Sequence, residues 1–153
     1  MNIDIHIYGV RARDDMIAAT ASKLGLSSDY IHYDDRPNGG LMMYTAKKAW
    51  LSPVSKGITH RICLSDDTEV CDDFLSIATK IAEAHPKSII SFFPYEFMRK
   101  TPEVEGLDTP YLKCHILSGC GIMMPIECIE PCFKYIKEHF NDTCDDDWGI
   151  QQW

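Results

Sequence analysis

The stretch Ile62-Cys63-Leu64-Ser65-Asp66-Asp67-Thr68-Glu69-Val70-Cys71-Asp72-Asp73-Phe74 decides the fold. With His60 and Arg61 before it, it opens as an apolar-rich run from His60 to Leu64, the length of a strand. The run stops at polar Ser65-Asp66-Asp67, and a helix is expected from about Asp72 to Ala84. Phe74, Leu75, Ala78, Ile81 and Ala82 would form its apolar face, and Asp72 and Asp73 suit its positive N-terminal end. Strand, acidic pair and helix make one unit of an α/β sheet. Ligands of such sheets bind beyond the C-terminal ends of the strands.

Working outward, Ile3, Ile5 and Ile7 alternate with Asp4, His6 and Tyr8, the period of a first strand. Asp14-Asp15 opens a helix to about Leu24 with Ile17, Ala18, Ala21 and Leu24 on one face, and Gly25 is its stop. Tyr30 to Tyr33 reads as a second strand, Pro37-Asn38-Gly39-Gly40 as a turn, and Leu41 to Leu51 as a second helix ended by Ser52-Pro53. Beyond the deciding stretch, Ser88 to Phe93, Lys113 to Leu117 and Gly121 to Met124 are strand-like, and residues 94–110 are loop-like. Glu130 to Phe140 is the last expected helix, with Pro131 tolerable only in its first turn. The remainder, Asn141 to Trp153, is acidic and then aromatic. The alternation of strands and helices predicts a single α/β domain with a mostly parallel sheet and helices on both faces.

The bulk numbers set limits. A chain of 153 residues suits one core. The net charge of -8 argues against a wide polyanion-binding surface, while leaving room for a few Arg or Lys contacts to one diphosphate. No segment reaches the apolar length of a membrane span, and the start Met1-Asn2-Ile3-Asp4-Ile5-His6 has no basic, apolar secretion signal, so a cytoplasmic location is the expectation. The seven cysteines (63, 71, 114, 120, 128, 132 and 144) contain no CxxC spacing and read as reduced thiols packed as small hydrophobes.

A hard divalent cation takes carboxylate oxygens and keeps open positions for substrate phosphates, which one or two carboxylates at a strand end supply. The same Asp pair also suits a turn or a helix cap. The segment 62–74 resembles the variant DxD segment of GT-A-type glycosyltransferases, in which a strand ends in an acidic pair and the chain continues into a helix. That resemblance implies a Rossmann-like GT-A domain, a nucleotide-sugar donor with UDP as the default, and Mn²⁺ or Mg²⁺. By the same resemblance Asp67 matches the metal carboxylate and Asp66 the residue that meets ribose or donor sugar. Ser65 stands where many members carry an acidic or amide residue, which leaves the division of roles between Asp66 and Asp67 open.

The likeness extends along the chain. Ser118-Gly119-Cys120-Gly121-Ile122-Met123-Met124-Pro125 looks like the small-residue strand after the acceptor loop, where Gly119 and Gly121 would let the backbone approach the donor sugar; a simple β-turn and buried strand is the equal alternative. Asp145-Asp146-Asp147-Trp148 looks like the late acidic-aromatic segment, with Asp146 or Asp147 as catalytic base of an inverting enzyme and Trp148 stacked on a sugar. Arg11 or Arg13, after the first strand, would meet the diphosphate or base, with a solvated loop residue as the equal alternative, and Asp35, after the second, the base or ribose, although Asp beside Pro and Gly is more often a turn former. The histidine that many members use as a further metal ligand has no counterpart after His139.

So compact a domain favours a large acceptor: a protein, a glycan or modified DNA. Small free-standing transferases of this type resemble some encoded by bacteriophages that glycosylate hydroxymethylated bases, although the acidic charge weighs against DNA. Two other classes stay open. One is a nucleotide-sugar-binding module without turnover. The other is a Mg²⁺-dependent nucleotidyltransferase or phosphohydrolase. A phosphohydrolase would favour a DxD nucleophile where this first strand ends in Tyr8-Gly9-Val10, and a nucleotidyltransferase a more glycine-rich loop than Gly9-Val10-Arg11-Ala12-Arg13.

Overall fold

The computed structural model describes residues 1–36, 42–93, 120–141, 144 and 146–153, with backbone alone for 146–148. The expected strand at 113–117, the turn at 37–40, the excursion at 94–110 and Gly119 lie outside the described residues.

Five strands form one mixed, mostly parallel sheet in the order β2-β1-β3-β5-β4: β1 (Ile3–Gly9), β2 (Ile31–Tyr33), β3 (His60–Ser65), β4 (Ile90–Ser91) and β5 (Gly121–Pro125). β1 runs parallel to β2 and β3, while β5 lies antiparallel between β3 and β4. Among the described residues five α-helices accompany them: α1 (Asp14–Leu24), α2 (Met43–Trp50), α3 (Phe74–Ala84), α4 (Ile126–Phe140) and α5 (Asp146–Gln152). Among the described residues no helix is long and apolar enough to cross a membrane.

The alternation in β1 divides the core in two. Ile5 and Ile7, with Ile62 and Leu64 of β3 and Met123 of β5, face Ile17 and Ala21 of α1 and Phe74, Ala78 and Ala82 of α3. Tyr8, Cys63, Ile122 and Met124 point the other way, toward α2, α4 and Ile150 of α5. Both faces of the sheet are therefore covered by helices. Ala18 is exposed and Thr20 is buried in its stead, because the Thr20 hydroxyl donates to the Thr68 carbonyl at 2.7 Å and ties α1 to the chain after β3. Leu75 also lies outside, 47% exposed, so the buried face of α3 is narrower than its apolar spacing predicts. Gly25 caps α1 in the left-handed region at φ 66°, a conformation that glycine adopts at no steric cost.

The C-terminal third corrects two expectations. α4 begins at Ile126 rather than Glu130, which places Pro131 inside the helix, past its first turn. The lost hydrogen bond is the one to the Glu127 carbonyl; Glu127 and Pro131 are both exposed, so water can satisfy that carbonyl. The acidic-aromatic tail is helical, and α5 buries Gly149 and Ile150. Cys63 and Cys132 are buried and in no disulfide, packed as expected, and burial pushes the Cys132 thiol up to about 12. Cys71 departs from that expectation: it is exposed.

The second face of β1 holds a polar cluster. Arg61 is wholly buried, and its guanidinium donates to both Asp4 oxygens at 3.0 and 2.7 Å. It also donates to the carbonyls of Ala49 and Trp50, in the last turn of α2, and of Ser52 and Pro53 just beyond it. Burial alone would raise Asp4, but hydrogen bonds with His6 and Arg61 outweigh it and its pKa is lowered. Beside this pair, His6 Nδ1 lies 2.9 Å from His32 Nε2 in a hydrogen bond between stacked rings.

Burial, with the nearby His6 and Arg61 charges, pushes His32 down to about 4. The unfolded chain therefore takes up a proton between pH 6.5 and 4 that the folded chain refuses. Stability is fully present above pH 6.5 and falls as the pH drops through that window, by no more than about 3 kcal/mol. Urea unfolding at pH 7.5 and 4.5 is expected to show this loss, and His32→Gln is expected to flatten it. An unchanged slope in that variant assigns the acid sensitivity elsewhere.

Candidate functional site

β1 and β3 point the same way, so their C-terminal ends open at one edge of the sheet. Their register pairs Tyr8 with Ser65, which sets Gly9 beside Asp66. A Cβ on Gly9 would stand 2.1 Å from the Asp66 Cβ and 2.3 Å from its Oδ2, so the space that any other residue would fill at position 9 is occupied by Asp66. The Asp66 side chain is only 3% exposed. Its Oδ2 accepts the Val10 N–H at 2.8 Å, and its Oδ1 accepts from Arg13 Nη1 at 2.7 Å. One carboxylate thus closes the β1–α1 connection, whose residues Arg11–Arg13 form a 3-10 turn held by Arg13 N–H to the Val10 carbonyl at 3.0 Å.

Asp67 has the opposite environment. Its side chain is 48% exposed, with Oδ1 accepting from Ser65 Oγ at 2.6 Å and Oδ2 lying 3.5 Å from Arg13 Nη1. Residues 65–68 form a tight turn closed by Thr68 N–H to the Ser65 carbonyl at 3.1 Å. The Cys120 carbonyl, just before β5, accepts from the Ser65 N–H at 3.1 Å and from the Thr68 hydroxyl, clamping the turn from the next strand. Ser65 and Thr68 thereby aim Asp67. Neither was singled out as a site residue from the sequence, although hydroxyl residues flanking an Asp pair are common turn formers.

The structure thus brings Arg13, Asp66 and Asp67 together. Arg11 goes elsewhere: its guanidinium stacks 4.2 Å over the Tyr33 ring, and the Tyr33 hydroxyl bonds Asp14. Next to it, Asp34 receives the Arg36 guanidinium at 2.8 and 2.6 Å, which holds its carboxyl down at about 2. Asp35 is 69% exposed and paired with Lys48 at 3.1 Å. Gly121 opens β5 opposite Leu64, and a Cβ there would meet the Phe93 ring at 2.7 Å; the close approach recorded at this glycine is that of a core aromatic ring. Asp146, Asp147 and Trp148 form the first turn of α5 by their backbone, and their side chains lie outside the described residues.

Among the described residues no group of three or more His, Cys, Asp or Glu stands close enough to enclose a metal ion. The donor set is one accessible carboxylate, Asp67, fixed by a hydroxyl. That does not suit a zinc-type cage of protein ligands. It does suit Mg²⁺ or Mn²⁺ taken up through one carboxylate, with water and phosphate oxygens completing the shell. The chain matches no protein-family model, and a search of the curated proteins finds none with significant similarity.

Proposed function

We propose that this chain is a divalent-metal-dependent glycosyltransferase of GT-A-like architecture, moving a sugar from a nucleoside-diphosphate donor, UDP-linked by default, to a hydroxyl on a large acceptor. The observation that carries the reading is the turn at the end of the central strand β3. It presents one exposed, hydroxyl-fixed carboxylate, Asp67, with a guanidinium 3.5 Å away. In this reading Asp67 supplies an oxygen to Mn²⁺ or Mg²⁺. When bound, the cation stabilises the negative charge that grows on the departing diphosphate. Arg13 meets the diphosphate, and Asp66 acts on the donor through Arg13, which it holds in place. Gly119 lines the approach to the donor sugar, Gly121 being packed against the Phe93 ring, and Arg11 and Asp35 flank the nucleoside side. If the reaction inverts the anomeric centre, Asp146 or Asp147 accepts the acceptor's hydroxyl proton; if it retains, they bind the acceptor, and Trp148 stacks on a sugar face.

Calorimetric titration with UDP, with Mn²⁺ and then with EDTA, tests this reading. Metal-dependent binding is expected in the wild type. Asp67→Ala is expected to weaken it by roughly 100-fold, or about 2.7 kcal/mol. Asp67 is half exposed, so that variant should keep its fold. No heat from any nucleoside diphosphate with either metal would sink the proposal. Binding without sugar transfer would assign the chain to the alternative, a nucleotide-sugar-binding module.

A further inference from the structure

We infer that Arg13 is a built-in countercation of the acidic turn, which holds Asp67 while no nucleotide is present and makes divalent-metal binding depend on the diphosphate. The inference rests on the reading of Asp67 as the metal carboxylate.

A single guanidinium nitrogen, Nη1, faces both carboxylates, at 2.7 Å from Asp66 and 3.5 Å from Asp67. The two contacts differ in kind. The Asp66 carboxylate is 3% exposed and also takes the Val10 N–H, so its bond to Arg13 is shielded and charge-assisted. Asp67 and Arg13 are each 48% exposed and their contact is longer, so this half of the fork is weak and releasable. Arg13 is thus anchored through the buried aspartate and only leans on the exposed one.

The charges then set an order of events. Arg13, Asp66 and Asp67 together carry a net charge of about -1, from one cation and two carboxylates. A divalent ion approaching Asp67 alone meets a guanidinium already in place, and the two cations repel. A diphosphate satisfies both, because its oxygens accept from the guanidinium and complete the metal's shell. Metal and nucleotide should therefore each strengthen the other's binding by the same factor.

Mn²⁺ binding, followed by the spin-resonance signal of the free ion, separates the possibilities. For Mn²⁺ alone, Arg13→Gln is expected to bind roughly fivefold more tightly than the wild type, the size of one unit charge removed at close range in a water-exposed site. The coupling between Mn²⁺ and UDP should shrink in this variant. Arg13→Lys retains the charge, so its affinity for Mn²⁺ alone should stay below that of Arg13→Gln, while its UDP binding weakens because an ammonium lacks the guanidinium's fork. In the wild-type chain itself, the Arg13 Nε–Hε nuclear-magnetic-resonance signal should shift when Mg²⁺ and UDP are added together and stay put with Mg²⁺ alone. This readout stands even if the glutamine variant folds poorly. Unchanged or weaker Mn²⁺ affinity in Arg13→Gln, or an Arg13 signal that ignores Mg²⁺ with UDP, overturns the inference while leaving the function intact. A wild type that binds neither Mn²⁺ nor UDP, singly or together, overturns the proposed function instead, and this inference with it.

Discussion

Arg61→Ala is expected to lower stability by roughly 3–5 kcal/mol, the cost of breaking a buried ion pair by removing one partner. Domains of this size hold about 5–15 kcal/mol in all, so the loss removes a large share of the total and should lower the urea midpoint markedly. The loss has three sources. Asp4 would keep a charge with its two guanidinium bonds gone, the Trp50 carbonyl at the end of α2 would lose the guanidinium donor at 2.8 Å, and a wholly buried side-chain volume would empty. Urea unfolding measures the loss. A double variant, Arg61→Met with Asp4→Leu, is expected to recover much of it, since an apolar pair of similar volume leaves no lone charge. A loss below about 1 kcal/mol in Arg61→Ala would show that the guanidinium is better solvated than its burial implies.

Gly9→Ala is the second large effect. The new Cβ would lie 2.1 Å from the Asp66 Cβ and 2.4 Å from its Cγ, where the end of β1 meets the turn that follows β3. Neither backbone can retreat without breaking the register of Tyr8 with Ser65. Overpacking of this severity is expected to cost roughly 3 kcal/mol or more and to abolish nucleotide binding. The rescue is specific. Gly9→Ala combined with Asp66→Gly removes the three nearest atoms and should restore the fold. It should not restore binding, because Arg13 then has no anchor. Recovery of both properties would mean that Asp66 only fills space.

These two predictions rest on unequal sequence signals. The turn at Asp66-Asp67 was legible because strand, acidic pair and helix are contiguous, and a local pattern needs no knowledge of distant partners. The bounds of α1 were legible for the same reason: Asp14 opens it and Gly25 closes it. Arg61 was not. Inside an apolar run it is one residue of a strand, and its meaning depends on Asp4, 57 positions earlier, and on the end of α2. The alternation of Asp4, His6 and Tyr8 with isoleucines marks a strand, but it does not tell a solvent face from a second covered face that stores its polar groups as pairs. Within the site, the separation of Asp66 from Asp67 was equally hidden. Two neighbouring aspartates look alike in sequence, and only the glycine opposite the first makes one a buried tie and leaves the other accessible. The start of α4 was misplaced because Pro131 is expected only in a first turn, which puts the start at Glu130. An exposed face tolerates it here, since water takes the place of the missing donor.

The position of β5 has a consequence for how this chain is made. Residues 121–125 lie between β3 and β4, which are complete by residue 91. Among the described residues, β5 supplies the pairing on that edge of β3 and the neighbour of β4, so until it leaves the ribosome both lack that partner. The nascent chain must therefore carry an open, apolar central strand through much of its synthesis, at about 5–20 residues per second. Closure comes late and over a long sequence distance, which slows folding. A ribosome stalled before Gly121 would expose an edge able to capture strands from other chains, and ribosome profiling combined with co-sedimentation of stalled chains would register it.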